Sequence, residues 1–420
     1  MARLEFIFFE FYEPLHGAEN ALAWLKPKRP PLPSLPQLFW EDGRSWTEVN
    51  LWALEKAASY QVDTETVKRL MKHLTRFATF VESQEMDWRH FPVRKEDQIL
   101  RRLRKSLIDD VNCGSLANST ASNCMNAVVQ FYRFANANNL VGADHQMWTD
   151  RIVVIPYYDA TGFRRSMVRI STDLKIPNRS RIGNNLEEGL LPLRADDMHA
   201  LLKYTAAHEI AELHLMLGIG FFTGARIGTV TTLTVTSLFT AREDPLTPGI
   251  FLLPVGPGTG VATKFSVSGE ILVPGAILAD LKAYASCTRR LLREAKAGGH
   301  QKNLLFLTRN GRPYTVQTSN RLVYEMRRRA FRSGLRFMQR FRFHQTRATF
   351  GTWLMELLLD GGAKTDAIRV VRDAMLHKSE QTTLRYIAFL DNVRDKQRIS
   401  AAFNAAFTGL QSRNWNFLRA

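Results

Sequence analysis

Apolar residues recur at helical spacing in three stretches of the first third of the chain. Val67, Leu70, Met71, Leu74, Phe77, Ala78 and Val81 fall on one face of a helix that Asp63 or Thr64 can cap. Ile99, Leu100, Leu103 and Leu107 mark a second inward face. Cys124, Ala127, Val128, Phe131 and Phe134 mark a third, starting near Ser119 or Thr120. Farther on, a helix is predicted from Asp196 and Asp197, then an apolar helix through Leu213 to Phe222 and a turn at Thr223-Gly224-Ala225-Arg226. Beyond that turn, Arg226, Thr229, Val230 and Leu233 fall on one helical face. Two runs, GIFLLPV (249–255) and GEILVP (269–274), have strand character, and the segment between them holds three glycines and Lys264, so a hairpin is predicted. After Arg347 the stripe Phe350, Gly351, Leu354, Leu357 and Leu358 predicts a helix whose inner side carries an arginine. A buried guanidinium demands partners, because an unpaired charge away from water is expensive.

These elements divide the chain into parts. Residues 1–45 are expected to be an extended arm, since Pro27, Pro30, Pro31, Pro33 and Pro36 forbid a continuous helix. Residues 46–140 form a helical domain. Residues 141–192 lose helical periodicity, carry Arg164, Arg165, Arg169, Lys175, Arg179 and Arg181, and are expected to be a linker. Residues 193–409 form a second domain, with a tail to 420. The fold class is mainly α with a small antiparallel β-sheet.

Charge sharpens the picture. Lys and Arg number 57 against 40 Asp and Glu, a net charge of +17 with a pI near 10. That excess calls for a polyanionic partner, nucleic acid before an acidic membrane surface. Basic side chains flank two of the apolar faces: Lys68, Arg69, Lys72 and Arg76 on one, Arg101, Arg102, Arg104 and Lys105 on the other. Eight arginines (321, 327, 328, 329, 332, 336, 340 and 342) crowd a third segment, expected to be a helix that faces phosphates, with a solvated face as the alternative. The longest apolar run is too short to span a bilayer, and Glu5 and Glu10 argue against a secretory leader at the N-terminus. Cys113, Cys124 and Cys287 have neither metal-ligand nor disulfide spacing, so a cytoplasmic protein without a structural metal is expected.

Singly, the polar residues of the second half have ordinary explanations: a surface arginine, a solvated lysine, a core histidine, a packed tyrosine. Their order is what stands out. Arg226 in TGARIG, Lys264 in the hairpin, His344 and Arg347 in HQTR, then His377 and Tyr386 in MLHKSEQTTLRY follow one another along the chain. In this respect the sequence resembles the tyrosine recombinases of the phage-integrase type, over about 193–390, with all six functional positions matched. Residues 46–140 resemble, less specifically, the core-binding domain of that family. There are two departures. Thr229 stands where the family usually has an acid, and the interval from His344 to His377 is longer than usual, around Leu357–Lys364.

The resemblance implies a DNA cleaving and rejoining enzyme. Tyr386 would attack the phosphodiester to give a 3′-phosphotyrosyl link, with His344 taking its proton. Arg226 and Arg347 would clamp the non-bridging oxygens and His377 would add a hydrogen bond. Lys264 would protonate the departing 5′-oxygen. It further implies double-stranded DNA as partner, a homo-tetramer on paired sites with the 396–409 segment exchanged between subunits, and no cofactor or metal. Three other readings stay open on sequence alone: a type IB topoisomerase, a DNA-binding accessory protein that has lost catalysis, and a basic membrane-surface protein that lacks an evident anchor.

Overall fold

A computed structural model of the chain describes residues 1–16, 22–59, 62–142, 146–158, 164–177, 186, 189–362, 364–377 and 382–394. They fall into two compact units, residues 1–180 and 181–420.

The first unit is built on four helices, α1 (Thr47–Ala58), α2 (Thr64–Ser83), α3 (Ile99–Asn112) and α4 (Asn118–Ala137). Asp63 caps α2, its carboxylate accepting from Glu65 N at 2.9 Å. The inward faces are those of the hydrophobic pattern. Val67, Met71, Leu74, Phe77, Ala78 and Val81 are buried on α2, and Ile99, Leu100, Leu103 and Leu107 on α3. Trp46, Trp88, Phe131 and Tyr132 meet at the centre with ring centroids 5.4–6.0 Å apart, edge-on or tilted as ring quadrupoles favour.

Two parts of this unit differ from the sequence reading. The arm is strand rather than extended connection: β1 (Arg3–Phe9) pairs antiparallel with β4 (Leu32–Phe39), and β2 (Glu13–His16) with β3 (Leu22–Leu25). Leu32, Leu35 and Leu38 are buried in the helical core. Pro33 and Pro36 are tolerated because both strands of a two-stranded sheet are edges. Asn50 on α1 fastens β4, accepting from Leu38 N at 2.7 Å and donating to Leu38 O at 3.0 Å. The stretch read as a linker contains a ribbon, β5 (Asp150–Tyr158) paired antiparallel with β6 (Arg164–Thr172).

The second unit opens with α5 (Ala195–His208) and α6 (Ala211–Thr223), then two short helices, α7 (Ile227–Thr231) and α8 (Val235–Phe239). A three-stranded antiparallel sheet follows, β7 (Arg242–Glu243), β8 (Ile250–Val255) and β9 (Gly269–Pro274), in the order 7-8-9. Then come α9 (Gly275–Ser286), α10 (Thr288–Glu294), α11 (Val316–Arg332), α12 (His344–Asp360), α13 (Lys364–Ala374) and a helix at 382–394.

The α12 helix is the element to which the others are fitted. It lies against α6 through glycine: a Cβ at Gly220 would stand 2.5 Å from Thr346 Oγ1 and 2.9 Å from Phe343, and one at Gly224 would stand 2.5 Å from the Phe350 ring. Real side chains there would hold the two helices apart. The buried side of α12 runs through Arg347, Ala348, Gly351, Thr352 and Met355. Leu357, expected inside, is 72% exposed, so the inner stripe lies rotated from the apolar one while still including Arg347.

The arginine-rich segment is not one continuous helix. It is broken after Arg332 and continues as a 3₁₀ turn, Arg336–Arg340. Arg329 is bound bidentately to Glu209 at 2.7 and 3.0 Å, and Arg321 to Glu325 at 2.9 Å. Near it, sequence patterning gave no hint of a buried carboxylate, Glu212, which accepts from Tyr284 Oη and Arg289 Nε at 2.8 Å and pairs with Arg293 at 2.8 Å.

Candidate active site

Arg226 does not share a helical face with Thr229 and Val230. It precedes α7 in extended conformation, φ −74° and ψ 151°, as the N-cap residue. What places it is the end of α6, where Gly224 adopts the left-handed conformation at φ 66° and its N–H returns to Gly220 O at 3.1 Å. That turn aims Arg226 into a cleft also lined by Thr229, Lys264, Arg347 and Met375–Leu376.

Lys264 enters this cleft from the connection between β8 and β9. It begins a single 3₁₀ turn, Lys264–Ser266, in which Phe265 and Ser266 have φ of 63° and 52°. Positive φ at a non-glycine costs about 1–3 kcal/mol and is held only where surroundings impose it. The exposed lysine has its Nζ 5.3 Å from the centre of the Phe265 ring.

Arg347 is buried, and two backbone carbonyls are among its partners. Nη1 donates to Gly224 O at 2.8 Å and Nη2 to Met375 O at 2.6 Å. The first carbonyl is offered by the α6 turn, the second by the end of α13. One side chain thus ties together two backbone segments that line the cleft. Thr229, which stands where the resembling family has an acid, is itself buried in the cleft wall.

His377 is fixed by the way α13 ends. Leu376 takes φ 50°, Leu376 N–H bonds to Asp373 O at 3.1 Å, and His377 N–H bonds to Arg372 O at 2.9 Å. These are the two bonds of a Schellman motif, with leucine where glycine is usual. The imidazole Nδ1 lies 2.8 Å from Thr383 Oγ1, and both residues are buried. This contact fixes the orientation of the ring, with Nδ1 turned to Thr383.

Tyr386, from the helix at 382–394, is 0% exposed. Its ring stacks near His377, centroids 6.1 Å apart at 27°, and packs among Ala348, Met355, Val371 and Met375. Gly351 makes room for it: a Cβ there would stand 2.7 Å from Tyr386 Cε1 and 2.5 Å from Met375 Sδ. His344 opens α12 one turn before Arg347 and is partly exposed.

Of the six sequence-predicted residues, Arg226, Lys264 and Arg347 line one cleft, and His377 and Tyr386 form a buried pair behind Met375. His344 and Arg347 share the first turn of α12 but His344 is not part of the cleft lining. Three contributors were not foreseen. Thr383 could have been found from its place six residues after His377, but the carbonyls of Gly224 and Met375 leave no trace in side-chain chemistry.

A mainly helical unit with a small antiparallel sheet, carrying these side chains, is the catalytic domain of a site-specific recombinase, an enzyme that acts on DNA. Residues 192–392 match the model of the phage integrase family. No curated protein matches the chain by sequence. Among solved structures, it is similar to a variant of the Tn1549 transposon integrase in complex with transposon right end DNA. The identity is 14%, the TM-score 0.51, and the match covers 84% of this chain and 99% of that one. A lambda integrase dimer bound to a COC′ core site matches at 13% identity and TM-score 0.47, over 81% of this chain and 94% of that one. A lambda integrase tetramer bound to a Holliday junction matches at 12% identity and TM-score 0.46, over 81% and 75%. Among the described residues no helix is long and apolar enough to cross a membrane.

Proposed function

We propose that the chain cuts and rejoins duplex DNA through a 3′-phosphotyrosyl intermediate formed at Tyr386. The scissile phosphate sits in the cleft between Arg226 and Lys264. Guanidinium is permanently charged, planar and forked, which suits the non-bridging oxygens. Arg226 contacts them directly; Arg347, anchored by two carbonyls, keeps the positive field of the cleft behind them. Tyr386 Oη attacks phosphorus while the bond to the 5′-oxygen breaks. A phenol has a reference pKa of about 10, so its proton passes to His344 as the new bond forms. Lys264 gives a proton to the departing 5′-oxygen, and His377 Nε2 donates to the phosphate. Attack by another 5′-hydroxyl reverses the step and reseals the strand. The phosphodiester energy is retained in the tyrosyl ester.

The observation that carries this reading is the gathering of Arg226, Lys264 and Arg347 in one cleft, with Arg347 held by the carbonyl two residues before His377. Because Tyr386 is wholly buried, attack requires it to leave its seat, so a conformational step precedes chemistry. We further propose that residues 46–140 grip the duplex as a core-binding domain and that residues 193–409 are the catalytic domain. Four subunits would assemble on paired sites through the 396–409 segment, which lies outside the described residues.

The test is denaturant trapping with supercoiled DNA. Wild-type protein should leave a covalent protein–DNA adduct, and Tyr386→Phe should leave none. Tight binding without any adduct would instead favour a catalytically silent DNA-binding protein, and relaxation without pairing of two sites a topoisomerase.

A further inference from the structure

The ribbon β5–β6 has two unlike faces. Side chains alternate across a strand, and the register pairs Ile152 with Ile170 and Val154 with Val168, so these four share one exposed apolar face. Arg151 and Ser171, paired with each other, lie on the other face. That second face closes a groove against the helical core, lined by Arg104 from α3, Ser122 from α4, Arg151 from β5 and Lys175 just beyond β6.

The charges of this groove do not cancel. Its carboxylate, Asp173, is already engaged: one oxygen is ion-paired with Arg101, and the other accepts from Thr149 N at 3.0 Å. Among the described residues, no carboxylate lies within ion-pair distance of Arg104, Arg151 or Lys175. Arg104 Nε is buried and has no hydrogen-bond partner among those residues. A buried donor left unmade is costly, a cost that an incoming acceptor would remove. Ser122 adds a neutral hydroxyl donor. Three cations, a hydroxyl and an unmet N–H in one open groove form a receptor for closely spaced anionic oxygens.

We propose that this groove seats a stretch of the phosphate backbone of duplex DNA, so that the ribbon is a DNA-holding element added to the helical core. The proposal rests on the reading of the chain as a DNA recombinase and deepens it. Backbone contacts of this kind fix position and carry no sequence preference. Each phosphate neutralised by Lys or Arg contributes about 0.9 to the slope of log affinity against log salt.

The experiment uses the full chain and a labelled random-sequence duplex, with binding measured across a fourfold range of salt. Replacing Arg104, Arg151 and Lys175 together by alanine should lower the slope by about 2.7. Wild type would then lose roughly 40-fold more affinity than the variant across that range. The charge-preserving set Arg104→Lys, Arg151→Lys and Lys175→Arg should keep the wild-type slope. Lys175→Ala alone, at an exposed position that folding does not depend on, should lower it by about 0.9. An unchanged slope in Lys175→Ala and in the triple alanine variant overturns the assignment. Adduct formation by wild-type protein is followed in parallel: its absence would sink the recombinase reading, while an adduct with an unchanged slope would sink the groove alone.

Discussion

Gly351→Ala tests whether the buried position of Tyr386 is a resting seat that must be vacated. The added methyl would stand 2.5 Å from Met375 Sδ, 2.7 Å from Met375 Cε and 2.7 Å from Tyr386 Cε1. Methionine is flexible and can turn its end away. The tyrosine ring cannot yield so easily, because it is planar and enclosed by Ala348, Met355 and Val371. An overpacked core site of this kind costs about 1–3 kcal/mol. Alanine also favours the helix over glycine by about 0.5–1 kcal/mol, but α12 persists whether or not Tyr386 is seated, so that gain is common to both states. The seated state is therefore raised relative to the vacated one by the steric part alone. If vacating precedes attack, single-turnover formation of the covalent adduct should speed up by about 5- to 150-fold. The assay is the time course of adduct on a nicked duplex whose cleaved end diffuses away, with protein in excess. An unchanged or slower rate in a folded variant would refute the reasoning, and would mean that Tyr386 reacts from where it lies.

Further outcomes follow from the same contacts. Thr383→Val keeps the shape of the side chain and removes the partner of His377 Nδ1. Adduct formation should fall by roughly tenfold, the worth of one such hydrogen bond, with a displaced pH–rate profile, and Thr383→Ser should restore both; a profile that stays in place would assign Thr383 to packing only. Glu212→Gln should lower unfolding stability by about 3 kcal/mol at pH 7, since it leaves Arg289 and Arg293 without their buried carboxylate. Burial pushes the Glu212 carboxyl up, but the Arg289 and Tyr284 hydrogen bonds and the Arg293 charge outweigh it and hold its pKa below 4.5. A carboxylate lowered on folding stabilises fully above its unfolded pKa and loses that contribution as pH falls through its folded one. The gap between wild type and variant in denaturant melts should therefore narrow below pH 4.5, and a gap independent of pH would exclude the ionised carboxylate as its source.

Where function and structure depend on side-chain type and local spacing, they were legible in the chain. The inner faces of α2 and α3 follow from apolar residues three and four apart, and Arg347 does lie on the inner side of its helix. What escaped depends on pairing across distance or on backbone atoms. β1 and β4 meet over some thirty intervening residues, and nothing local in the proline-rich arm announces that Leu32, Leu35 and Leu38 complete a helical core. In the ribbon, the run Ile152–Ile155 had strand character, but arginines at its partner strand masked the alternation. The anchoring of Arg347 uses carbonyl groups, which every residue has, so only the fold can say which ones are near. Leu376 at positive φ ends α13 where a glycine would have signalled the turn. Burial of Tyr386 likewise depends on Gly351, a residue that says nothing by itself about which ring it will accommodate.

The central claim concerns one bond, between Tyr386 and a DNA 3′-phosphate. Adduct trapped in denaturant can be digested with nuclease and trypsin, and the peptide that retains nucleotide sequenced by mass spectrometry. Cleavage after Arg385 and after Arg394 releases Tyr386–Arg394, whose one tyrosine is the residue in question. The account predicts that this peptide carries the nucleotide through Tyr386, joined to a 3′-phosphate. Nucleotide on any other peptide, or joined through a 5′-phosphate, would contradict it.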